Sequence, residues 1–320
     1  MRIFVAGATG VLGRELVPQL VARGHEVTGM TRSPSKQELV RRLGARPVVA
    51  DALDPDAVAR GVAATEPEVI VHELTALSEP LGLRDARHPD RSPATTMTNR
   101  LRIEATDHLL AAGRAVGVRR FVAQSFGAFR FARKGGPVQT EADPLDPDPP
   151  AGLGAAQAGF AYLERAVTQI DWAEGLALRY GGFYGPGTSM SADPEAVHSG
   201  AVRRRRFPVV GDGGGVWSFI HVSDAASATA AAVERGAPGI YNVVDDDPAP
   251  VRDWLPELAR SLGAEPPRRI PRWLGRLVAG EAATIVMTEV RGASNEKAKR
   301  ELGWEPRYAS WRQGFVRGLG

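Results

Sequence analysis

The sequence predicts an α/β fold: a doubly wound parallel sheet of seven strands with a smaller, mostly helical C-terminal lobe. Two observations predict it. Short apolar runs of strand type alternate with helical patterns from residue 2 to residue 244, which gives a parallel sheet with helices on both faces. The first of these runs, Arg2 to Ala6, passes through Gly7-Ala8-Thr9-Gly10-Val11-Leu12-Gly13 into a helical pattern from Arg14 to Arg23. A strand-to-helix turn this tight needs residues without a Cβ, for unusual φ and for close backbone approach to a ligand. The helix behind it offers free N–H groups and a positive dipole end to a diphosphate. Gly7, Thr9, Gly10, Val11, Leu12 and Gly13 are therefore the expected diphosphate-binding residues.

The 320 residues are 43% hydrophobic and 24% charged, enough for one large domain or a domain with an appended lobe. A net charge of +3 is too slight for a nucleic-acid partner. The densest basic run, Arg203 to Arg206, reads as a solvated loop, with an anion site as the alternative. There is no cysteine, hence no disulfide and no thiol chemistry. No metal site is expected. No apolar run approaches membrane-spanning length, and MRIFVAG is already strand rather than signal peptide. The expectation is a cytoplasmic protein with a small-molecule substrate and no membrane partner.

The second strand, His25 to Met30, ends at Thr31-Arg32-Ser33. A dinucleotide fold that prefers NAD places Asp or Glu there to hold the ribose 2′-hydroxyl. Arg32 suits a 2′-phosphate instead, so NADP is the expected cofactor, with NAD possible. Lys36 to Leu43 reads as a helix and Arg46 to Ala50 as the third strand, with Asp51 and Ala52 placed to meet the adenine. Asp54 and Pro55 open the next helix as N-cap and first-turn proline. Glu68 to His72 is the fourth strand, after which Leu74, Thr75 and Ala76 run beside the cofactor. Leu77 to Pro93 reads as a loop, Thr95 to Val116 as a long helix, and Arg119 to Gln124 as the fifth strand. Ser125 then stands at a strand's carboxyl end, where such sheets bind ligands.

An acidic, proline-rich loop (Gly135 to Pro150) leads to a helix, Ala151 to Gln169, and the sixth strand, Gly175 to Tyr180. Tyr180 and Phe183 are expected to contact the cofactor, with Leu74, Ala76 and Ser125 flanking its nicotinamide end. Trp217 to Val222 precedes a helix, Ser223 to Arg235, and Ile240 to Val244 is the seventh strand. This assigns residues 1–187 and 216–247 to the nucleotide-binding domain, and 188–215 and 248–320 to a substrate-binding lobe.

Six stretches in order carry a resemblance: GATGVLG at 7–13, RRFVAQS at 119–125, LRYGGFYGPG at 178–187, FIHVSDAA at 219–226, YNVVDDD at 241–247 and KRELGWEP at 299–306. Together they make the chain similar to the extended short-chain dehydrogenases/reductases, including the NAD-dependent epimerase/dehydratase group. The resemblance implies a Rossmann-type sheet carrying NAD(P), a C-terminal lobe over the substrate, and a homodimer through the two long helices.

It also implies Ser or Thr after the fifth strand and Tyr-x-x-x-Lys on the next helix. Hydride transfer at a carbinol or ketone needs a proton partner, and a tyrosine beside a cation has its pKa lowered towards working pH. That set is absent here. With Glu164 matched to the family's glutamate, Phe160 takes the lysine position and Ala156 the tyrosine position. Phe126 takes the catalytic serine position, one residue past Ser125, unless the register shifts by one. The remaining candidates for proton work are Ser125, Tyr162 and Tyr184, with His198, His221 and bound water behind them. Where nucleotide-sugar enzymes of the family carry an arginine, this chain has Val216-Trp217-Ser218, a lining better suited to a flat or hydrophobic molecule. Trp217, Met190 and His198 are the expected substrate contacts.

The reading is an atypical NADP-dependent oxidoreductase acting on a carbonyl or C=C bond of a polyketide-like, terpenoid or aromatic metabolite. An epimerase, cyclase or dehydratase that uses the nicotinamide transiently, and a non-catalytic dinucleotide sensor, are the alternatives.

Overall fold

Seven parallel strands form the sheet that the alternation predicts: β1 (Arg2–Ala6), β2 (Glu26–Thr31), β3 (Arg46–Val49), β4 (Val69–His72), β5 (Arg120–Phe126), β6 (Glu174–Tyr180) and β7 (Gly239–Val243). This computed structural model describes residues 1–77, 89–127 and 129–320. The strand order is β7-β6-β5-β4-β1-β2-β3, so the chain winds outward from β1 in both directions. The reversal between β1 and β4 opens a crevice at their carboxyl ends, and the glycine turn leaves β1 at that point.

The side-chain period of a strand sorts the core onto two faces. Ile3 and Val5 point to one face, under α1 (Val11–Ala22) and α8 (Val222–Glu234). Phe4 and Ala6 point to the other, under α3 (Pro55–Ala63), α5 (Thr106–Ala115) and α6 (Gly154–Thr168). The short α2 (Gln37–Arg42) closes the β2–β3 crossover. All-parallel pairing buries both faces of the central strands, which is why they read as continuous apolar runs.

Two expectations need correction. β5 does not stop at Gln124 but runs on through Ser125 and Phe126, which pair with Arg179 and Tyr180 of β6. The long helix predicted over 95–116 is α4 (Pro93–Arg100), a π turn (Leu101–Ala105) and then α5. Wide turns of this kind recur at functional sites. Of the loop predicted over 77–93, residues 78–88 lie outside the described residues, and Pro89–Arg91 forms a 3₁₀ turn.

The lobe is built from α7 (Val197–Arg203), α9 (Val251–Ser261), α10 (Arg272–Thr288), α12 (Trp311–Arg317) and short strand pairs around a core of Trp254, Trp311, Phe219 and Phe315. Side chains cross the expected boundary in both directions. Tyr184, Trp217 and Phe219 join the lobe core, while Ala298 and Leu302 of α11 (Glu296–Leu302) join the sheet core. Among the described residues no helix is long and apolar enough to cross a membrane.

Candidate active site

The glycine turn has the shape a diphosphate requires. Gly7 has φ +101°, and a Cβ there would lie 2.7 Å from the Glu73 carbonyl oxygen. A Cβ on Gly13 would lie 2.3 Å from the Gly7 carbonyl oxygen. Gly10 N donates to Gly7 O at 3.0 Å, and Arg14 Nε ties down Thr9 O at 3.0 Å. Gly10 caps α1 with no side-chain bond, so the first-turn N–H groups stay open to an anion. Leu12 is buried in the core beneath, and Val11 is exposed.

At the end of β2, Arg32 is exposed and makes no ion pair with any described residue. Asp51 accepts from Leu53 N at 3.0 Å, and the buried Ala52 is held through its carbonyl by His108 at 2.9 Å. After β4 the backbone is fixed by Leu74 N donating to His72 Nδ1 at 3.2 Å and by Ala76 N donating to Thr98 Oγ1 at 3.0 Å, with Thr75 exposed between them. Burial drives His72 down to about 4, so it is a neutral acceptor. These positions fit a nicotinamide dinucleotide: an open helix N-terminus, a turn without Cβ atoms, and a free cation at the ribose end.

Tyr180 departs from its expected cofactor contact. Its ring lies beneath the strand ends, with the hydroxyl 3.1 Å from Glu73 Oε1 and 2.6 Å from Thr229 Oγ1. Phe183 is half-buried against it at 5.3 Å. Burial pushes the Glu73 carboxyl up to about 8, and its Oε2 has no partner among the described residues.

Of the three residues expected to do proton work, Ser125 and Tyr162 are bonded elsewhere and Tyr184 is buried. Ser125 shares a sheet face with Phe121 and Ala123, the face covered by α6. Its hydroxyl donates to Glu164 Oε1 at 2.5 Å and accepts from Arg130 Nη1 at 3.1 Å. Glu164 also pairs with Arg130 and receives Arg179 Nε and Nη2, both at 2.8 Å. Burial would raise the Glu164 carboxyl, but the Arg179 hydrogen bonds and the two guanidinium charges outweigh it and hold the group at about 2. Ser125 is thus a member of a buried ionic network. Tyr162 turns outward to Asp107 on α5 at 2.8 Å, and that bond raises its pKa. Tyr184 is fully buried against His221 and Phe315, its hydroxyl unpartnered and its pKa raised by burial. His221 caps α8, bonded to Ser223 and to the Gly318 carbonyl at 2.7 and 2.9 Å.

Of the expected substrate contacts, Met190 is buried in the lobe core. His198 bonds Ser189 at 2.7 Å, and burial lowers its pKa. Trp217 donates its indole N–H to Val286 O at 2.9 Å and is packed against Trp254. It is nevertheless one link in an aromatic wall. Phe160 stacks on Phe126 at 5.8 Å, Phe126 meets Phe129 at 5.6 Å, and Phe129 meets Trp217 at 4.9 Å. The wall joins the family's lysine position on α6, the serine position on β5 and the lobe. Phe129 has φ +68°, a strained conformation for a bulky residue and of the kind that clusters at functional sites.

Sequence reasoning missed Arg102, whose guanidinium carbon lies 3.6 Å from the Phe160 ring centroid. The signal was present. Arg102 interrupts the buried stripe Thr98, Ala105, Leu109, Ala112 at helical spacing.

A glycine turn at the topological switch point of a seven-stranded parallel sheet, with a helical C-terminal lobe, defines an NAD(P)-dependent enzyme. Residues 3–243 match the NAD dependent epimerase/dehydratase family, and the chain belongs to it. It is 47% identical over 318 residues to the 3-diazoavenalumate denitrifying reductase of a Streptomyces species, covering 99% of this chain and 100% of that protein. It is 28% identical over 341 aligned positions to a Stigmatella aurantiaca reductase, 4-hydroxy-2-methyl-3-oxo-4-farnesyl-3,4-dihydroquinoline-1-oxide ketoreductase, covering 96% and 92%. The crystal structure of the Thermus thermophilus UDP-glucose 4-epimerase in complex with NAD superposes with a TM-score of 0.73 at 26% identity, covering 100% of this chain and 98% of that one.

Proposed function

We propose that the protein is an NADPH-dependent reductase of an aromatic small molecule, and that the carbon it reduces carries a diazonium group lost as dinitrogen. One observation carries the reading: Phe126, Ala156 and Phe160 stand where the family keeps its proton-handling side chains. A carbonyl that accepts hydride becomes an alkoxide and needs a proton. An arenediazonium carbon does not: the new C–H bond takes the hydride's electron pair, the C–N bond breaks, and dinitrogen leaves with the C–N bonding pair. The bound nicotinamide supplies the hydride. The glycine turn holds its diphosphate, and Arg32 pairs with the 2′-phosphate. Phe160, Phe126 and Phe129 stack on the substrate ring, exclude water, and present π faces that attract a cationic substituent. The Streptomyces relative, a denitrifying reductase of a diazo compound, supports the same chemistry.

The test is NADPH oxidation and dinitrogen release with an arenediazonium cinnamate, measured above the rate without enzyme. Matched release of one dinitrogen per NADPH is expected. Consumption of NADPH with enones or ketones but not with the diazonium salt would replace this reading with reduction of a C=O or C=C bond, the chemistry in the name of the Stigmatella relative. The same assay tests Arg32. Arg32→Ala lowers NADPH affinity about 10- to 100-fold, the worth of one or two charge-assisted hydrogen bonds, and changes NADH affinity far less. Equal losses for both cofactors would remove the 2′-phosphate assignment.

A further inference from the structure

We infer that Arg102 is the anchor for a carboxylate on the molecule that enters the aromatic centre. The inference deepens the reductase reading and rests on it for the location of the substrate. Arg102 lies in the π turn between α4 and α5, and its carbonyl accepts an extra bond from Thr106 Oγ1 at 2.7 Å. It is 8% exposed. Its guanidinium is stacked over Phe160, the residue in the lysine position, and Nη1 donates to Asn99 Oδ1 at 2.9 Å. Among the described residues that neutral amide is its only side-chain partner, and no carboxylate lies within ion-pair distance.

The surrounding charges make this unusual. Arg130 also lies against Phe160, at 4.9 Å, and shares Glu164 with Arg179. Arg130 and Arg179 thus share a single carboxylate, and Arg102, against the same Phe160 ring as Arg130, has no share in it. A buried cation lacking an anion is costly. Burial, reinforced by the charge of Arg130, pulls Arg102 down to about 9. Among the described residues Arg179 Nη1 is buried with no partner. The remaining guanidinium N–H groups of Arg102 have no hydrogen-bond acceptor among the described residues. A guanidinium fork offers a carboxylate two parallel hydrogen bonds. The carboxylate would lie at Arg102, with the aromatic ring running along Phe126 and Phe129 towards Trp217.

The binding test needs no turnover. Enzyme saturated with NADP⁺ is titrated calorimetrically with trans-cinnamate and with methyl cinnamate. The acid is expected to bind at least about 10-fold more tightly than the ester. Arg102→Gln brings that ratio close to one, and Arg102→Lys, which keeps the charge and loses the fork, retains part of it. Should the glutamine variant fail to fold, a fall in the ratio for Arg102→Lys and for Asn99→Ala decides the matter. The inference is overturned if cinnamate shows no saturable binding, if acid and ester bind alike, or if the preference survives in Arg102→Gln. If no diazonium salt is reduced while cinnamate binding still depends on Arg102, the denitrifying reading falls and the anchor stands. If diazonium acid and ester are reduced with equal KM, the anchor falls and the reductase stands.

Discussion

The two sides of the crevice are built on different terms. On the nucleotide side the backbone makes the site: Gly7 and Gly13 leave no room for a Cβ, and Gly10 caps α1 with nothing but its own peptide. On the chemistry side, side chains make the site: the usual Tyr-x-x-x-Lys is absent, and Phe126, Phe129 and Phe160 form an aromatic wall. The polar scaffold behind that set remains. Ser125, Arg130, Glu164 and Arg179 still form a closed network although the groups in front of it are apolar. Cofactor binding depends on a shape that tolerates no substitution. The reaction class depends on a few side chains that can change once the hydride acceptor needs no proton.

The sharpest way to break the nucleotide side is Gly13→Ala. Its Cβ would fall 2.3 Å from Gly7 O and 2.7 Å from the Ala8 carbonyl carbon, both backbone atoms with nowhere to go. Energy transfer from tryptophan to NADPH should show affinity reduced by at least about 100-fold. Unchanged affinity would mean that the turn does not hold the diphosphate.

On the chemistry side the corresponding lesion is Glu164→Gln. It leaves Arg130 and Arg179 buried without their shared anion, which costs about 3–5 kcal/mol and is read as a lower urea midpoint at neutral pH. Because Glu164 is held at about 2 against 4.5 for an ordinary glutamate, the wild-type advantage is fully present above about 4.5 and is lost as pH falls towards 2. A variant as stable as wild type at neutral pH would show that the network does not support this face.

Much of this division was legible in the sequence. The glycine spacing, the strand alternation and the absence of Tyr-x-x-x-Lys are local patterns, and local patterns survive in a string of letters. What was hidden arises from pairing at long range. β5 extends to Phe126 because β6 offers it partners, so Ser125 sits within a central strand rather than at its mouth. Ser125 and Glu164 are 39 residues apart, and nothing near either residue marks the other. Tyr162 was named for its residue type, whereas the face of α6 that meets the sheet is carried by Phe160, Leu163 and Glu164. Arg102 was legible only as a charged break in a helical stripe: a π turn shifts the register, and the 3.6-residue period alone does not reveal where its guanidinium comes to lie.

Glu73 gives the smallest effect and tests whether the nucleotide side has an electrostatic weak point of its own. Its backbone carbonyl lies against Gly7 and its side chain reaches Tyr180 beneath the turn. Burial raises the carboxyl from 4.5 to about 8, against a smaller opposing effect of the Tyr180 hydrogen bond. The native state therefore favours the protonated form. Its contribution is fully present below about 4.5, where folded and unfolded chains are both protonated, and it is lost as pH rises towards 8. Glu73→Gln keeps the shape and cannot ionise. The thermal midpoints of wild type and variant should coincide near the acid end and separate as pH rises, with the variant higher by a few degrees at pH about 8. Parallel curves across that range would mean that Glu73 is not protonated in the native protein, and that the core beneath the turn accommodates its charge.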